Sequence, residues 1–195
     1  MTRSPSQDCC PWSVGISKIY SDYHDREWGV PLRTDSGQFE FLILESAQAG
    51  LSWATVLHKR LGYKKAFADF NAMKVSKFTN ATVERLCCNP AIIRNRLKIN
   101  AAISNARAFL EVQSEFGTFC DYIWGFVDNS PIKNSFIDQS DVPSTSKISD
   151  ALSKDMKNRG FKFIGSKIMY AHMQATGMVN DHLVTCFRYN ECSQT

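Results

Sequence analysis

Residues 149–177 read SDALSKDMKN, then RGFKFIG, then SKIMYAHMQATG. This is the pattern of two helices joined by a tight turn. Ser149-Asp150 predicts an N-cap with an acid in the first turn of a helix running to Asn158. Gly160–Gly165 is a glycine-bounded connection, and Ser166–Thr176 is a second helix stopped at Gly177. Glycine permits positive φ and close backbone approach, so exposed N–H groups at the next helix's N-terminus can hold a phosphate. Many such hairpins contain glycine and bind nothing, so the turn alone does not separate an anchor from a plain connection.

Outward from the hairpin, helical spacing continues. Ser36–Ala49 places Phe39, Leu42, Ile43 and Ser46 on one face, with Asp35 available as an N-cap. Trp53, Val56 and Leu57 extend that pattern, and Phe67 and Phe70 follow after a turn expected near Gly62. Asn89-Pro90 separates a helix at Ala81–Cys88 from one at Ile92–Ser114. Phe119–Phe126 is a short aromatic helix, and Asn129–Pro143, with two prolines and no period, is a loop. No six-residue stretch alternates, and there are no repeats. The fold class is all-α, in one domain spanning residues 1–195.

Composition sets limits around that reading. A hydrophobic fraction of 44% with 22% charged residues excludes a disordered or collagen-like chain. No apolar run approaches the roughly 20 residues that cross a bilayer, so no membrane partner is expected. The start, MTRSPSQDCCPW, has no apolar h-region, and a cytoplasmic protein is expected.

The formal net charge is only +4, but it is unevenly placed. Ala54–Ala66 carries Lys59, Arg60, Lys64 and Lys65 with no acid, and Ile92–Arg107 carries Arg94, Arg96, Lys98 and Arg107 with no acid. Lys147–Lys167 has six basic residues against two acids. Residues 1–53 and 108–146 are acidic. Three such blocks either converge on one face that meets a polyanion or are solvated helix faces, and charge alone leaves both readings open.

Seven cysteines, an odd number, without a secretory leader argue against a disulfide framework. Cys10, His24, His182 and Cys186 are zinc-competent ligand types, and His182-x-x-x-Cys186 shares one face if helical. Cys9 is an equally available donor. A four-ligand site of this kind would tie residues 10–24 to 182–186 and would be structural, one ion per chain. Cys87, Cys88 and Cys120 lie in apolar contexts and are expected to be core thiols.

Glu45 is the odd residue of its helix, following the apolar run Phe41-Leu42-Ile43-Leu44. A carboxylate there is either on the solvated face or deliberately buried. Trp12, Tyr20, Tyr23 and Trp28 crowd the N-terminal segment. Aromatic density of this kind usually makes core, but aromatic faces around a carboxylate also make a receptor for a flat cationic ligand.

Several blocks resemble DNA-3-methyladenine glycosylase I. They are Tyr23-His24-Asp25-x-Glu27-Trp28-Gly29-Val30-Pro31, Gln48-Ala49-Gly50-Leu51-Ser52-Trp53, Ser149-Asp150-Ala151-Leu152-Ser153-Lys154, the 159–165 turn and Met178-Val179-Asn180-Asp181-His182. The resemblance runs from Cys10 to Cys186. It implies a helix-hairpin-helix base-excision glycosylase with two helical lobes, a monomer acting on double-stranded DNA that contains alkylated adenine. Its implied zinc ligands are Cys10, His24, His182 and Cys186, Cys10 being preferred because Pro11-Trp12 follows it. The base pocket would be Glu45 with Trp12, Tyr20, Tyr23 and Trp53. Leu51 would fill the gap left by the flipped nucleotide. Gly160, Lys162, Gly165 and Lys167 would hold the backbone beside the lesion.

The chemistry fits those residue types. Alkylation at N3 makes adenine a cation and weakens its glycosidic bond. Electron-rich rings favour the cation, and a carboxylate can accept from its exocyclic amine. Asn180 stands where wider relatives carry a catalytic Asp, which suits a labile substrate, and no lyase chemistry is expected at Lys167. Two departures, Ala91 and Leu97 where the family has glycine, lie beside Arg94, Arg96 and Lys98, the DNA contacts expected of that segment. The competing reading is a non-catalytic nucleic-acid-binding module on the same scaffold. A zinc hydrolase would need an open metal position, which four protein ligands do not leave.

Overall fold

Side-chain caps set most of the helix starts in the computed structural model, which describes residues 8–192. Residues 1–7, on which the reading of the leader rests, and 193–195 lie outside the described residues. The helices run α1 (Lys18–Arg26), α2 (Asp35–Gln48), α3 (Trp53–Ala66), α4 (Ala72–Val75), α5 (Asn80–Cys87), α6 (Arg96–Phe116) and α7 (Phe119–Trp124). They continue as α8 (Lys147–Asn158), α9 (Ser166–Ala175) and α10 (Arg188–Glu191). Ser52, Asn71, Thr79, Asn95, Thr118 and Ser146 each accept a backbone N–H at a helix start.

The all-α expectation needs one amendment. Ile132–Lys133 (β1) pairs in parallel with Val179–Asn180 (β2), so the 129–143 loop contains a two-residue strand. That length is too short to show alternation. The pairing joins the chain entering α8 to the chain leaving α9.

Several boundaries shift for physical reasons. Thr34, not Asp35, precedes α2; Asp35 instead accepts from the amides of Phe119 and Cys120 and so caps α7 from across the core. Ser146, not Ser149, caps α8, with Ser149 completing a reciprocal capping box. Gly62 makes no turn but sits inside α3, where a Cβ would collide with the carbonyl oxygen of Ala91. Its hydrogen lets the 90–93 segment close on the helix. Ile92 and Ile93 precede α6 instead of starting it.

α2 is the hub. Gln38, Phe39 and every residue from Phe41 to Ala47 are buried, because α3, α6, α7 and α9 surround it. At about 2 kcal/mol for each large apolar side chain removed from water, this helix anchors the core. One apolar cluster extends from α2 through α6 to α9. A smaller one gathers Cys10, Tyr23, Trp28, Phe41, Leu57, Leu183 and Cys186, and Trp53 packs against both. The core-thiol expectation fails in part: Cys88 is exposed, while Cys87 and Cys120 are half-buried.

Candidate functional site

A cavity of about 210 Å³ opens where the two clusters meet. α1 supplies Tyr20 and Tyr23, three residues apart and therefore on one face. Trp12 comes from the turn before α1, Glu45 from α2 and Trp53 from the first position of α3. All five residues predicted for the pocket line it. Trp12 meets Tyr20 edge-on at 5.4 Å between ring centroids, and Tyr23 lies 5.5 Å from Trp53.

Glu45 is 3% exposed, which resolves its position in favour of burial. Its Oε2 has no hydrogen-bond partner among the described residues, and neither does the buried indole N–H of Trp53. Burial pushes the Glu45 carboxyl up to about 8, which leaves it mostly protonated at neutral pH. Tyr23 is raised as well, first by burial and then by Glu45. An orphaned carboxyl oxygen between aromatic faces is a strong acceptor waiting for a flat donor, and a cationic donor would draw it back to the carboxylate.

Trp28, Gln48, Gln139, Ala171 and Gln174 also line the cavity. Helical spacing in α9 puts Ala171 and Gln174 together, but nothing local announces that α9 faces α1. Gln139 comes from the 129–143 loop. Asn180 is not among the lining residues: it is 1% exposed, donates to the Tyr189 carbonyl and accepts from the His182 amide.

Beside the cavity, Gly50 at φ +81° turns the chain so that Leu51 stands 41% exposed at a loop tip. The turn of the α8–α9 hairpin meets α2 through the Ser46 hydroxyl, which donates to the Phe163 carbonyl at 3.4 Å. Gly160 takes φ +90°, but the second left-handed position is Phe163 at +54°, and Gly165 is an ordinary N-cap at −57°. The glycine-bracketed expectation is thus half right. The carbonyls of Lys162 and Ile164 turn inward to Asn105 and Ser153. The amides of Phe163, Ile164 and Gly165 have no acceptor among the described residues, and Lys162 and Lys167 are exposed beside them.

The basic blocks divide. Arg60 is paired with Glu27 and Glu40, and Arg96 with Glu84. Arg159 is paired with Glu115 and Asp155, and Lys98 donates to the carbonyls of Ala47 and Ala49. Arg96 and Lys98 are thus engaged by acceptors of the chain itself. Lys154, Lys157, Lys162 and Lys167 around the hairpin form no ion pair among the described residues.

Cys10, His24, His182 and Cys186 converge as well, all buried, with ligand atoms within 4.8 Å of one another. Cys9 stays outside the group. The His182 Nδ1 lies 3.6 Å from the Cys10 sulfur and 3.5 Å from that of Cys186, which is 3.5 Å from the His24 Nε2. Tetrahedral zinc with Zn–S near 2.3 Å and Zn–N near 2.05 Å requires a sulfur–nitrogen edge of about 3.6 Å. The outer ring nitrogens are engaged too: the His24 Nδ1 with Asp25 at 2.7 Å, the His182 Nε2 with the Trp28 carbonyl at 3.0 Å. That second layer fixes ring orientation as zinc-binding histidines require. The donor set fits a closed four-coordinate ion.

The fold and cavity define a helical protein with a buried carboxyl set among aromatic faces. The methyladenine glycosylase family model matches residues 12–189, and the chain belongs to that family. DNA-3-methyladenine glycosylase 1 of Escherichia coli (strain K12) is 46% identical over 180 residues, which cover 92% of this chain and 96% of that protein. A crystal structure of 3-methyladenine DNA glycosylase I matches at TM-score 0.90 with 45% identity, covering 92% of this chain and 98% of its own. The Staphylococcus aureus enzyme, solved to explain 3-methyladenine recognition, matches at TM-score 0.87 with 35% identity over 89% and 92% of the two chains.

Proposed function

We propose that the protein is a monofunctional DNA glycosylase that flips 3-methyladenine out of double-stranded DNA and hydrolyses its N-glycosidic bond, in base excision repair. The observation that carries this reading is Glu45, buried with an unpartnered oxygen against Tyr23 and Trp53. A neutral adenine gains neither the ring attraction nor the charge pair that a 3-methylated, cationic adenine gains there.

When the bond from the ring nitrogen to the sugar breaks, its electron pair returns to the base, neutralising the cation, and water adds to the sugar carbon and gives up one proton to solvent. Glu45 accepts from the exocyclic amine, and cation binding draws its carboxyl into the ionised form. Trp12, Tyr20, Tyr23 and Trp53 exclude water and stack on the ring. Leu51 fills the gap in the duplex. Gly160 and Gly165 shape the hairpin, whose free amides meet phosphate with Lys162 and Lys167 beside them. Cys10, His24, His182 and Cys186 would hold one zinc ion; with four protein ligands it supplies cross-linking between the chain ends and no reactive position.

On this reading residues 1–195 act as a single domain and a monomer. The two apolar clusters are its two lobes, the larger holding the helix-hairpin-helix at residues 149–177 and the smaller the zinc staple. Its compartment is the cytoplasm, with the nucleoid, or the nucleus in a eukaryote, as the place of work. The reading is tested by incubating the protein with methylated duplex DNA and separating released bases by chromatography. Release of 3-methyladenine is expected. DNA affinity with no release would instead support the non-catalytic module.

A further inference from the structure

Lys98 and Asn105 lie seven residues apart on α6, two turns along one face. Each holds a different part of the DNA-facing surface by its backbone. The Lys98 ammonium donates to the carbonyl oxygens of Ala47 at 2.8 Å and Ala49 at 2.6 Å. The Leu51 amide takes the intervening carbonyl of Gln48 at 2.6 Å, so three successive carbonyls at the end of α2 are engaged. A cation at a helix C-terminus is favourable both to the orphan carbonyls and to the helix dipole. Asn105, 1% exposed, grips Lys162 twice: its amide nitrogen donates to the carbonyl at 3.0 Å and its oxygen accepts from the backbone N–H at 2.7 Å.

We infer that Lys98 and Asn105 are positioning residues that fix the distance between the Leu51 tip and the 160–165 hairpin, so that one face of α6 acts as a spacer between the wedge and the phosphate grip. The inference rests on the glycosylase reading above. A nucleotide leaves the duplex only if the wedge enters while the neighbouring phosphate is held, so an error in this distance costs rate out of proportion to affinity. Lys98 belongs to a basic block, but its charge points inward to the end of α2. It therefore does not act as a phosphate contact. The 160–165 turn itself meets α2 through one hydrogen bond, the Ser46 hydroxyl to the Phe163 carbonyl at 3.4 Å, while α9 packs on α2 further along and His172 donates to Gln38 at 2.7 Å.

The test compares wild type, Leu51→Ala, Lys98→Met and Lys98→Gln in single-turnover base release from methylated duplex DNA with saturating enzyme. Their affinity for a duplex with a tetrahydrofuran abasic site is measured across salt concentrations. Lys98→Met is expected to slow release about tenfold and leave the slope of log affinity against log salt unchanged. Lys98→Gln, whose amide still reaches one carbonyl, recovers part of the rate, and it decides the matter if the Met variant does not fold. A salt slope reduced by about one in both variants, with release at saturation unchanged, is the signature of a phosphate contact and overturns the inference. So does an unimpaired Leu51→Ala, because then there is no wedge to position. A wild type that releases no base fails the glycosylase reading itself, and the inference falls with it.

Discussion

His182 donates its Nε2 proton to the carbonyl oxygen of Trp28 across 3.0 Å, and Trp28 is a wall of the aromatic cavity. The metal-ligand group and the cavity are therefore one construction. Gly29 at φ +78° permits the approach, since a Cβ there would stand 3.0 Å from the His182 ring.

The first prediction follows from that sharing. The purified protein should carry one zinc per chain, and Cys186→Ser or prolonged chelation should remove it. Loss of a structural ion is expected to cost about 4 kcal/mol, lowering Tm by about 10 °C. Because Trp12 and Tyr20 sit on the tethered segment, binding of free 3-methyladenine should fall with it. A metal-free protein with unchanged Tm and base affinity would refute the staple.

Glu45 makes stability depend on pH. Its carboxyl titrates near 8 when folded against 4.5 when free, so the folded state binds the proton more tightly. The penalty of ionising it is absent below 4.5, grows as pH rises, and is complete above 8. The full difference is on the order of 5 kcal/mol. Glu45→Gln should therefore be more stable than wild type at pH 8 and equal to it at pH 4, read as urea midpoints. Equal midpoints at both values would contradict the burial argument.

His172 produces the opposite limb. It is wholly buried, donates to Gln38 at 2.7 Å, and burial lowers its pKa to about 3 from 6.5. Its neutral form is the folded one, so stability is full above 6.5 and is lost as pH falls toward 3. These two groups together place a stability maximum between about pH 5 and 6. His172→Gln should flatten the acid limb; a limb of unchanged steepness would show that other groups set it.

Two glycines separate space from conformation. Gly62→Ala should cost about 3 kcal/mol despite better helix propensity, because the new methyl meets the Ala91 carbonyl. Gly160→Ala has open space around its Cβ but keeps φ +90°, and about 1–2 kcal/mol is expected. The urea midpoints should fall in that order. A milder Gly62→Ala would mean that the 90–93 segment yields.

The helices at 35–48, 96–116, 147–158 and 166–175 were legible because each carries an apolar stripe and a stop. Their caps were less so. Asp35 has the right chemistry for capping its own helix but caps α7, a distinction that only the tertiary fold makes. Gly62 looks like a break until its neighbour across the packing is known. Glu45 is instructive in another way: it lies in the 41–47 stretch of α2 that is buried on every side, so the apolar stripe that marks the helix does not decide the carboxylate's fate. The metal quartet and five pocket residues were legible through chemical type and motif. Gln139 and Gln174 were not, because a loop and a distant helix bring them to the cavity. The bonds of Lys98 to the Ala47 and Ala49 carbonyls were not legible for a related reason, since charge identifies a cation but not the direction in which it points.

The central claim is that Glu45 with its aromatic surround recognises a cationic, alkylated adenine in DNA and promotes its release. The most direct measurement is base release from methylated duplex DNA by wild type and Glu45→Gln, with products separated by chromatography and rates taken across pH 6–9. Wild type should release 3-methyladenine with kcat/KM rising through a midpoint near pH 8, as the carboxyl ionises. Glu45→Gln should be slower by about ten- to a hundredfold and lose that rise. A variant as fast as wild type, with the same pH profile, would contradict the account.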